Sequence, residues 1–211
     1  MRYRALIPVK ALSAAKSRLT PYLSQEQRNT LVLAMLRHVL RTLQDSNMLE
    51  QISVVSPDSQ VLDYARECGV QALAEELPGH NASLHAAALK ELAAGTPALL
   101  TIAADLPLLQ AGDIRAFLEQ SYNYPVVLAP SRDGSGTNAL LTRPPLALPY
   151  LFGINSLQKY QRAANERQLS NTTYNSVELA LDIDTVDDLD DLHELQVLSG
   201  ARERIYITKI I

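Results

Sequence analysis

Two aspartates stand at points where buried strands are expected to end. Asp105 is the first charged residue after the apolar run 98–104, and Asp182 follows the stretch from Val177 to Leu181, which predicts another strand. Ligands of open α/β sheets bind beyond the carboxyl ends of the strands. Two carboxylates that converge there are typical of a Mg²⁺ site beside a nucleotide, because Mg²⁺ takes oxygen ligands and keeps waters and phosphates at its other positions.

Position alone leaves a simpler interpretation of these acids open. Asp105 can cap the turn that Pro107 begins. Asp182 and Asp184 can charge the N-terminal side of a helix that starts near Thr185, where the helix dipole favours negative groups. For Asp184 the sequence favours this helix interpretation.

Three cations gather in the loop after the first predicted strand: Lys10, Lys16 and Arg18. A nucleoside triphosphate carries more negative charge than one divalent ion neutralises, so lysine and arginine from a neighbouring loop are suited to hold the leaving pyrophosphate. The alternative is that these residues are merely exposed loop cations.

Two polar loops later in the chain suit small anions. The segment Gly134–Thr137 has two glycines that let the backbone approach a ligand, and a hydroxyl; as a plain hairpin loop it is equally acceptable. Gly153 and Ser156 precede a predicted helix, whose start is either an anion site or simply capped by Ser156 or Asn155. Asn81 opens another helix, as its cap or as a group that recognises a nucleobase edge.

Other types of site find little support. The four histidines lack metal-ligand spacing and are interpreted as surface or packing residues, and Cys68 is the only cysteine, which excludes an internal disulfide. The phosphate-loop, dinucleotide and hydrolase-elbow motifs are missing.

Composition is that of an ordinary globular protein. The chain has 211 residues, 47% of them hydrophobic, and a net charge of -4. We expect one domain spanning residues 1–211, with no nucleic-acid or membrane partner, because the charge favours neither and no apolar run is long enough for a membrane span. The single cysteine and the missing export signal predict a reduced, cytoplasmic location.

Strand and helix patterns alternate as in a mostly parallel α/β sheet, with an antiparallel excursion around residues 125–141. The tail Ile205–Ile211 is β-branched enough for an edge strand, which could pair two chains into a homodimer. The predicted strands are Tyr3–Pro8, Ile52–Val55, Val70–Leu73, the run from Ala98, Pro125–Ala129, Asn138–Leu141 and Val177–Leu181. The predicted helices begin near Ser24, Ser59, Ala82, Gly112, Ser156 and Thr185.

Five segments in order carry a family resemblance: Ile7–Leu19, Ala104–Leu109, Gly134–Leu141, Phe152–Ser156 and Asp182–Thr185. Together they resemble the CofC/FbiD family, the phospholactate or phosphoenolpyruvate guanylyltransferases of coenzyme F-420 biosynthesis. The resemblance implies a GT-A-like nucleotidyltransferase fold. It also implies transfer of GMP from GTP to the phosphate of a three-carbon phospho-acid, with Mg²⁺ as cofactor and pyrophosphate as the second product.

The resemblance also assigns roles. It makes Asp105 and Asp182 the metal ligands. The acid's carboxylate and phosphate would be held by Lys10, Thr137, Gly153 and Ser156. The nucleotide contacts would be Pro8, Lys16, Arg18, Asn81 and Asp105, and the catalytic residues would be Lys10, Lys16, Arg18 and Asp105.

One feature of this sequence departs from the family, and another separates it from related nucleotidyltransferases. The family more often has Gly-Leu-Asn where this chain has Gly79-His80-Asn81. The first loop lacks the glycine-rich turn of the sugar and molybdopterin nucleotidyltransferases, which favours the phospho-acid branch over them. Those enzymes, and a catalytically silent nucleotide-binding protein on the same fold, remain the alternatives. The sequence does not choose between 2-phospho-L-lactate, phosphoenolpyruvate and 3-phosphoglycerate.

Overall fold

The computed structural model describes residues 3–199, and the side chains of residues 3–195. Within that range seven strands form one sheet in the order β3-β2-β1-β4-β6-β5-β7. The predicted edge strand Ile205–Ile211 lies outside the described residues. The strands are β1 Tyr3–Pro8, β2 Leu49–Ser56, β3 Gln71–Ala74, β4 Ala98–Ile102, β5 Val126–Pro130, β6 Thr137–Thr142 and β7 Asn171–Thr173.

Helices occupy most of the connections, and short 3-10 turns lie at Ser17–Leu19 and Gln120–Tyr122. None of the described helices is long and apolar enough to cross a membrane. The helices are α1 Gln25–Asp45, α2 Ser59–Glu67, α3 His80–Ala93, α4 Ala111–Glu119, α5 Ser156–Glu166, α6 Val177–Ala180 and α7 Val186–Ser199.

Strand β6 reverses the direction of an otherwise parallel sheet. β1 pairs in parallel with β2 and β4, and β2 pairs in parallel with β3. β6 lies antiparallel to both β4 and β5, while β5 pairs in parallel with β7. The predicted mostly parallel sheet with an antiparallel excursion is therefore confirmed.

Both faces of the sheet are covered, which explains why the central strands are mostly apolar. Tyr3, Ala5 and Ile7 of β1 pack into the cluster that includes α1, α2 and α4. Leu6, between them, packs with Leu84 and its neighbours on α3, on the opposite face. Successive strand residues point to opposite faces, so β1 contributes to two cores.

Helix α1 begins as its sequence predicts. The Ser24 hydroxyl accepts from the backbone N–H of Gln27, and the Gln27 side chain accepts from the backbone of Ser24, which completes a capping box. Its apolar face is buried against the sheet and consists of Val32, Leu36, Val39, Leu40 and Leu43.

The chain around Val177 departs from the prediction. Val177–Leu181 was expected as a strand but Val177–Ala180 is the short helix α6, so that prediction is wrong; the Ser176 hydroxyl accepts from Leu179 N and starts the turn. The preceding strand β7, Asn171–Thr173, is polar, all of its residues are partly exposed, and it was not predicted. A polar edge strand gives little periodic signal.

Candidate active site

A cleft of about 890 Å³ opens beyond the carboxyl ends of β1 and β4. Asn81 does not line the cleft, whereas the adjacent His80 does. Nine of the ten predicted site residues line the cleft: Pro8, Lys10, Lys16, Arg18, Asp105, Thr137, Gly153, Ser156 and Asp182.

Lys16 is the most heavily paired cation of the cleft. Its ammonium bonds the carboxylate of Asp105 and lies 2.9 Å from Oδ1 of Asp184, and only 7% of its side chain is exposed. The Arg18 guanidinium, 72% exposed, lies 3.9 Å from Asp184 Oδ2. The backbone of Lys16 has φ 52°, a left-handed conformation that is strained for a residue with a side chain.

This pairing sets the protonation of both partners. Burial alone would lower the pKa of Lys16, but the charges of Asp105 and Asp184 hold that pKa above its usual value. Burial alone would raise the pKa of Asp184, and the Lys16 ammonium holds it below its usual range. Lys16 therefore stays protonated and forms ion pairs with two carboxylates.

Asp182 lies near Asp105, and among residues 3–195 it forms no ion pair. Burial, followed by the negative charge of Asp105, raises the pKa of Asp182 to about 6. The side-chain amide of Asn138 donates to Asp182 Oδ1 and to the backbone carbonyls of Leu179 and Ala180, each at 3.0 Å. Asn138 thus fixes both the carboxylate and the end of α6.

An extended segment, residues 181–184, brings the late acids to the cleft. Leu181 and Ile183 are buried in a second core, and Asp182 and Asp184, alternating with them, line the cleft. The backbone N–H of Ile183 donates to the carbonyl of Asp105 at 3.3 Å, which ties this segment to the end of β4.

Asp188, and not Asp184, is the acid that caps the start of α7. Asp188 Oδ2 accepts from the backbone N–H groups of Asp184 and Thr185, and its own N–H donates to the Thr185 hydroxyl. The carboxylate of Asp184 is left to pair with Lys16. In Leu181-Asp182-Ile183-Asp184 acids alternate with apolar residues. This alternation is the sequence signal that the Asp184 side chain points to the cleft while Ile183 points to the core.

A second wall of the cleft is built from hydroxyls and backbone groups. The buried Ser156 hydroxyl donates to the Thr137 hydroxyl at 3.1 Å, and the Ser156 N–H donates to the carbonyl of Gly153 at 3.0 Å. Gly153 has φ 118°, which favours glycine. Asn155 occupies the N-cap of α5 with no side-chain cap bond, so the predicted capping of α5 by Asn155 or Ser156 side chains is wrong.

The 131–136 loop closes one end of this wall. The Asp133 carboxylate accepts from the hydroxyls of Ser131 and Ser135 at 2.6 and 2.7 Å. A Cβ on Gly136 would lie 2.6 Å from Ser131 Oγ, so only glycine fits at that approach. Arg132 reaches across to pair with Asp191 of α7, a cleft contact with no clear sequence signal.

Lys10 is an exposed cation of the cleft. Among the described residues it forms no ion pair, in contrast to Lys16. His80 also lines the cleft, and its ring packs edge-on against Phe152 with centroids 5.6 Å apart. Burial, with the nearby charge of Lys10, lowers the pKa of His80. His80 is therefore a cleft residue, not merely a surface one.

Asn81 contacts the protein and not the cleft. Its Nδ2 donates to the carbonyl of Phe152 and its Oδ1 accepts from the N–H of Phe152, both at 3.0 Å.

Asp105 and Asp182 are the predicted ligands that could hold a divalent ion, and both line the cleft. Burial first, and then the like charge of Asp105, raises the pKa of Asp182, and a bound cation would relieve both effects. In the described part of the chain no three His, Cys, Asp or Glu side chains are grouped for a metal. Two carboxylate donors fit an ion that takes its remaining oxygens from water and phosphates.

Comparison with known proteins identifies relatives that align with most of this chain. The family model "Guanylyl transferase CofC like" matches residues 3–210. The chain is 39% identical over 188 residues to a phosphoenolpyruvate guanylyltransferase of Sphaerobacter thermophilus, covering 89% of this chain and 91% of that protein. It is 34% identical to a 2-phospho-L-lactate guanylyltransferase of Methanothermobacter thermautotrophicus, covering 100% and 92%. It is 36% identical to a 3-phospho-D-glycerate guanylyltransferase of Colwellia psychrerythraea, covering 90% of each.

Solved structures share the fold at low sequence identity. A protein of Desulfovibrio desulfuricans G20, described as a nucleotide-diphospho-sugar transferase, superposes with a TM-score of 0.83 at 16% identity, covering 98% of this chain and 94% of that one. A 4-diphosphocytidyl-2C-methyl-D-erythritol synthase superposes with a TM-score of 0.65 at 14% identity, covering 92% and 97%. The fold is that of the nucleotidyltransferases, and the chain belongs to the CofC-like guanylyl transferase family.

Proposed function

We propose that this protein transfers the guanylyl group of GTP to the phosphate of a three-carbon phospho-acid and releases pyrophosphate. The observation that carries the proposal is the cleft itself, in which paired carboxylates and cations face a wall of hydroxyls and backbone groups. Relatives at 34–39% identity bear guanylyltransferase names. The product belongs, by the family resemblance, to coenzyme F-420 biosynthesis.

Charge supports placing the triphosphate on the Lys16 side. Lys16 and Arg18 can shield the phosphates and the departing pyrophosphate, since a permanent cation in a partly dry site stabilises developing negative charge. Pro8 and Asp105 also line the cleft, where the nucleotide would contact them. Lys16 has to exchange part of its contact with Asp105 for the phosphates when GTP binds.

Mg²⁺ is the ion that we propose for Asp105 and Asp182. Both donors are carboxylate oxygens, the ligands that Mg²⁺ prefers, and phosphates of the substrate can complete its coordination. When bound, it would neutralise charge on the phosphates and help to orient them.

The hydroxyl wall supports a small acid as acceptor. Thr137, Ser156 and the backbone at Gly153 offer hydrogen bonds to a carboxylate and a phosphate, and the exposed ammonium of Lys10 offers charge. Phosphoenolpyruvate, 2-phospho-L-lactate and 3-phosphoglycerate all have these two anionic groups on three carbons. The relatives named for these three acids support the class and not one member of it.

The transfer requires no covalent intermediate with the protein. An oxygen of the acceptor phosphate attacks the α-phosphorus of GTP, and the bond from that phosphorus to the bridging oxygen of the β-phosphate breaks. The electron pair leaves with pyrophosphate. Because the attacking phosphate is already ionised at neutral pH, the residues need only position and shield the groups, and no general base is required.

A release assay tests the proposal. Purified protein is incubated with Mg²⁺ and each nucleoside triphosphate in turn, with each of the three acids, and pyrophosphate is measured. We expect release with GTP and at least one acid, and none when the acid is left out. Release only with CTP or a sugar phosphate, or GTP binding without turnover on any acid, would contradict it.

A further inference from the structure

Asn81 joins two parts of the chain that are far apart in sequence. It lies in the first turn of α3, and its side-chain amide bonds both backbone polar groups of Phe152 at 3.0 Å. An amide that donates at one end and accepts at the other has a fixed orientation. The Phe152 peptide is therefore held from α3.

The Phe152 ring is fixed by its neighbours as well. His80, next to Asn81, packs edge-on against it, and Tyr160 of α5 does the same from another direction, with centroids 5.6 and 5.4 Å apart. Tyr150 stacks on the ring at 5.9 Å. Edge and offset contacts of this kind favour one ring position.

The residues that follow Phe152 form the hydroxyl wall of the cleft. Gly153 comes next, in a left-handed conformation, and its carbonyl accepts from the N–H of Ser156. The Ser156 hydroxyl then bonds Thr137. A shift of Phe152 would displace Gly153 and Ser156 together, because this short turn has little freedom to absorb it.

We infer that Asn81 is a positioning residue for the phospho-acid and does not read the nucleobase. Its neighbours His80 and Phe152 line the cleft while Asn81 does not, and each end of its amide already has a protein partner. Asn81 acts through Phe152 on Gly153 and Ser156. The inference rests on the proposed transfer to a phospho-acid.

Steady-state kinetics of Asn81→Ala test the inference. Loss of the two hydrogen bonds is expected to raise the KM for the acid about 10- to 30-fold, with kcat and the KM for GTP changed by less than about twofold. If that variant does not fold, Asn81→Asp keeps the acceptor for the Phe152 N–H, loses the donor and is expected to raise the same KM. Asn123→Ala, on an exposed loop before β5, is the matched control and leaves all three parameters unchanged.

A double variant distinguishes action through Ser156 from a general loss of order. If Asn81 acts through that residue, the KM increase of Asn81→Ala with Ser156→Ala is smaller than the product of the single increases. A raised KM for GTP, or lost preference for GTP over ATP with the acid KM unchanged, would overturn the inference and make Asn81 a nucleotide contact. Wild-type protein that transfers to none of the acids would instead contradict the proposed function.

Discussion

The two walls of the cleft are built by different physical means. On one wall Lys16, Asp105, Asp182 and Asp184 form a network of partly buried charges. The charges of Asp105 and Asp184 hold the pKa of Lys16 above its usual value, and burial, followed by the charge of Asp105, raises the pKa of Asp182. On the other wall, around Ser156, neutral hydroxyls and backbone groups are held by turns and by hydrogen bonds to distant elements. Removal of a charge leaves its partner uncompensated, whereas removal of a hydroxyl costs one hydrogen bond.

This difference predicts a ranking of effects. Substitutions on the charged wall are expected to lower kcat by orders of magnitude, and substitutions on the neutral wall to raise the KM for the acid by about tenfold, which is the size of one hydrogen bond to a charged group.

Asp105→Asn should have the largest effect. It removes a proposed metal ligand and one of the two carboxylates on Lys16, and we expect kcat/KM to fall at least ~1,000-fold. The measurement is pyrophosphate release over a titration of Mg²⁺. Near-normal transfer at saturating Mg²⁺ would show that Asp105 is not a metal ligand.

Lys16→Met should come second. It keeps the length of the side chain but leaves Asp105 and Asp184 without their cation, and we expect kcat to fall about 100-fold. Lys10→Met is the matched comparison, because Lys10 is exposed, and it is expected to act mainly on the KM for the acid. Equal effects of the two substitutions on kcat would remove the distinction between the walls.

Ser156→Ala should have a smaller and different effect. It deletes the hydroxyl that bonds Thr137, and we expect the KM for the acid to rise about tenfold while the KM for GTP stays constant. Isothermal titration with each substrate provides the check. Weaker GTP binding with unchanged acid binding would place the acid elsewhere.

Asp182→Asn should separate stability from activity. The pKa of Asp182 is raised to about 6, so at pH 7.5 the ionised group is less favourable in the folded protein than in the unfolded chain. In EDTA at that pH we expect the neutral amide to raise the free energy of unfolding by about 1–3 kcal/mol, while transfer activity is lost. Denaturant unfolding measures the first effect, and a destabilised variant would contradict it.

The parts of the site that the sequence predicts are those with a periodic or local signal. The parallel strands and the start of α1 at Ser24 both depend on neighbours in sequence. Asp105 was found because an apolar strand ends there. Glycines and hydroxyls indicated the Thr137 and Ser156 loops as possible anion sites, and the family resemblance assigned them to the acid.

The parts that the sequence did not predict depend on tertiary contacts. Asn138 bonds Asp182 and two carbonyls more than 40 residues away, and Asn81 bonds Phe152 across 71 positions. Residues 177–181 have strand-like composition, yet the Ser176 cap makes them begin a helix. The contacts of Asn138 and Asn81 are decided by partners that no short window of sequence contains, whereas the Ser176 cap is a local signal that the apolar composition of 177–181 outweighed.

Mass analysis of the product tests the central claim most directly. GTP and Mg²⁺ are offered with phosphoenolpyruvate, 2-phospho-L-lactate and 3-phosphoglycerate in competition, for wild-type protein and Asp105→Asn in parallel. The account predicts a GMP adduct of at least one acid from the wild type, an equal amount of pyrophosphate, and almost none of either from the variant. GMP without an adduct, or an equal yield from the variant, would contradict it.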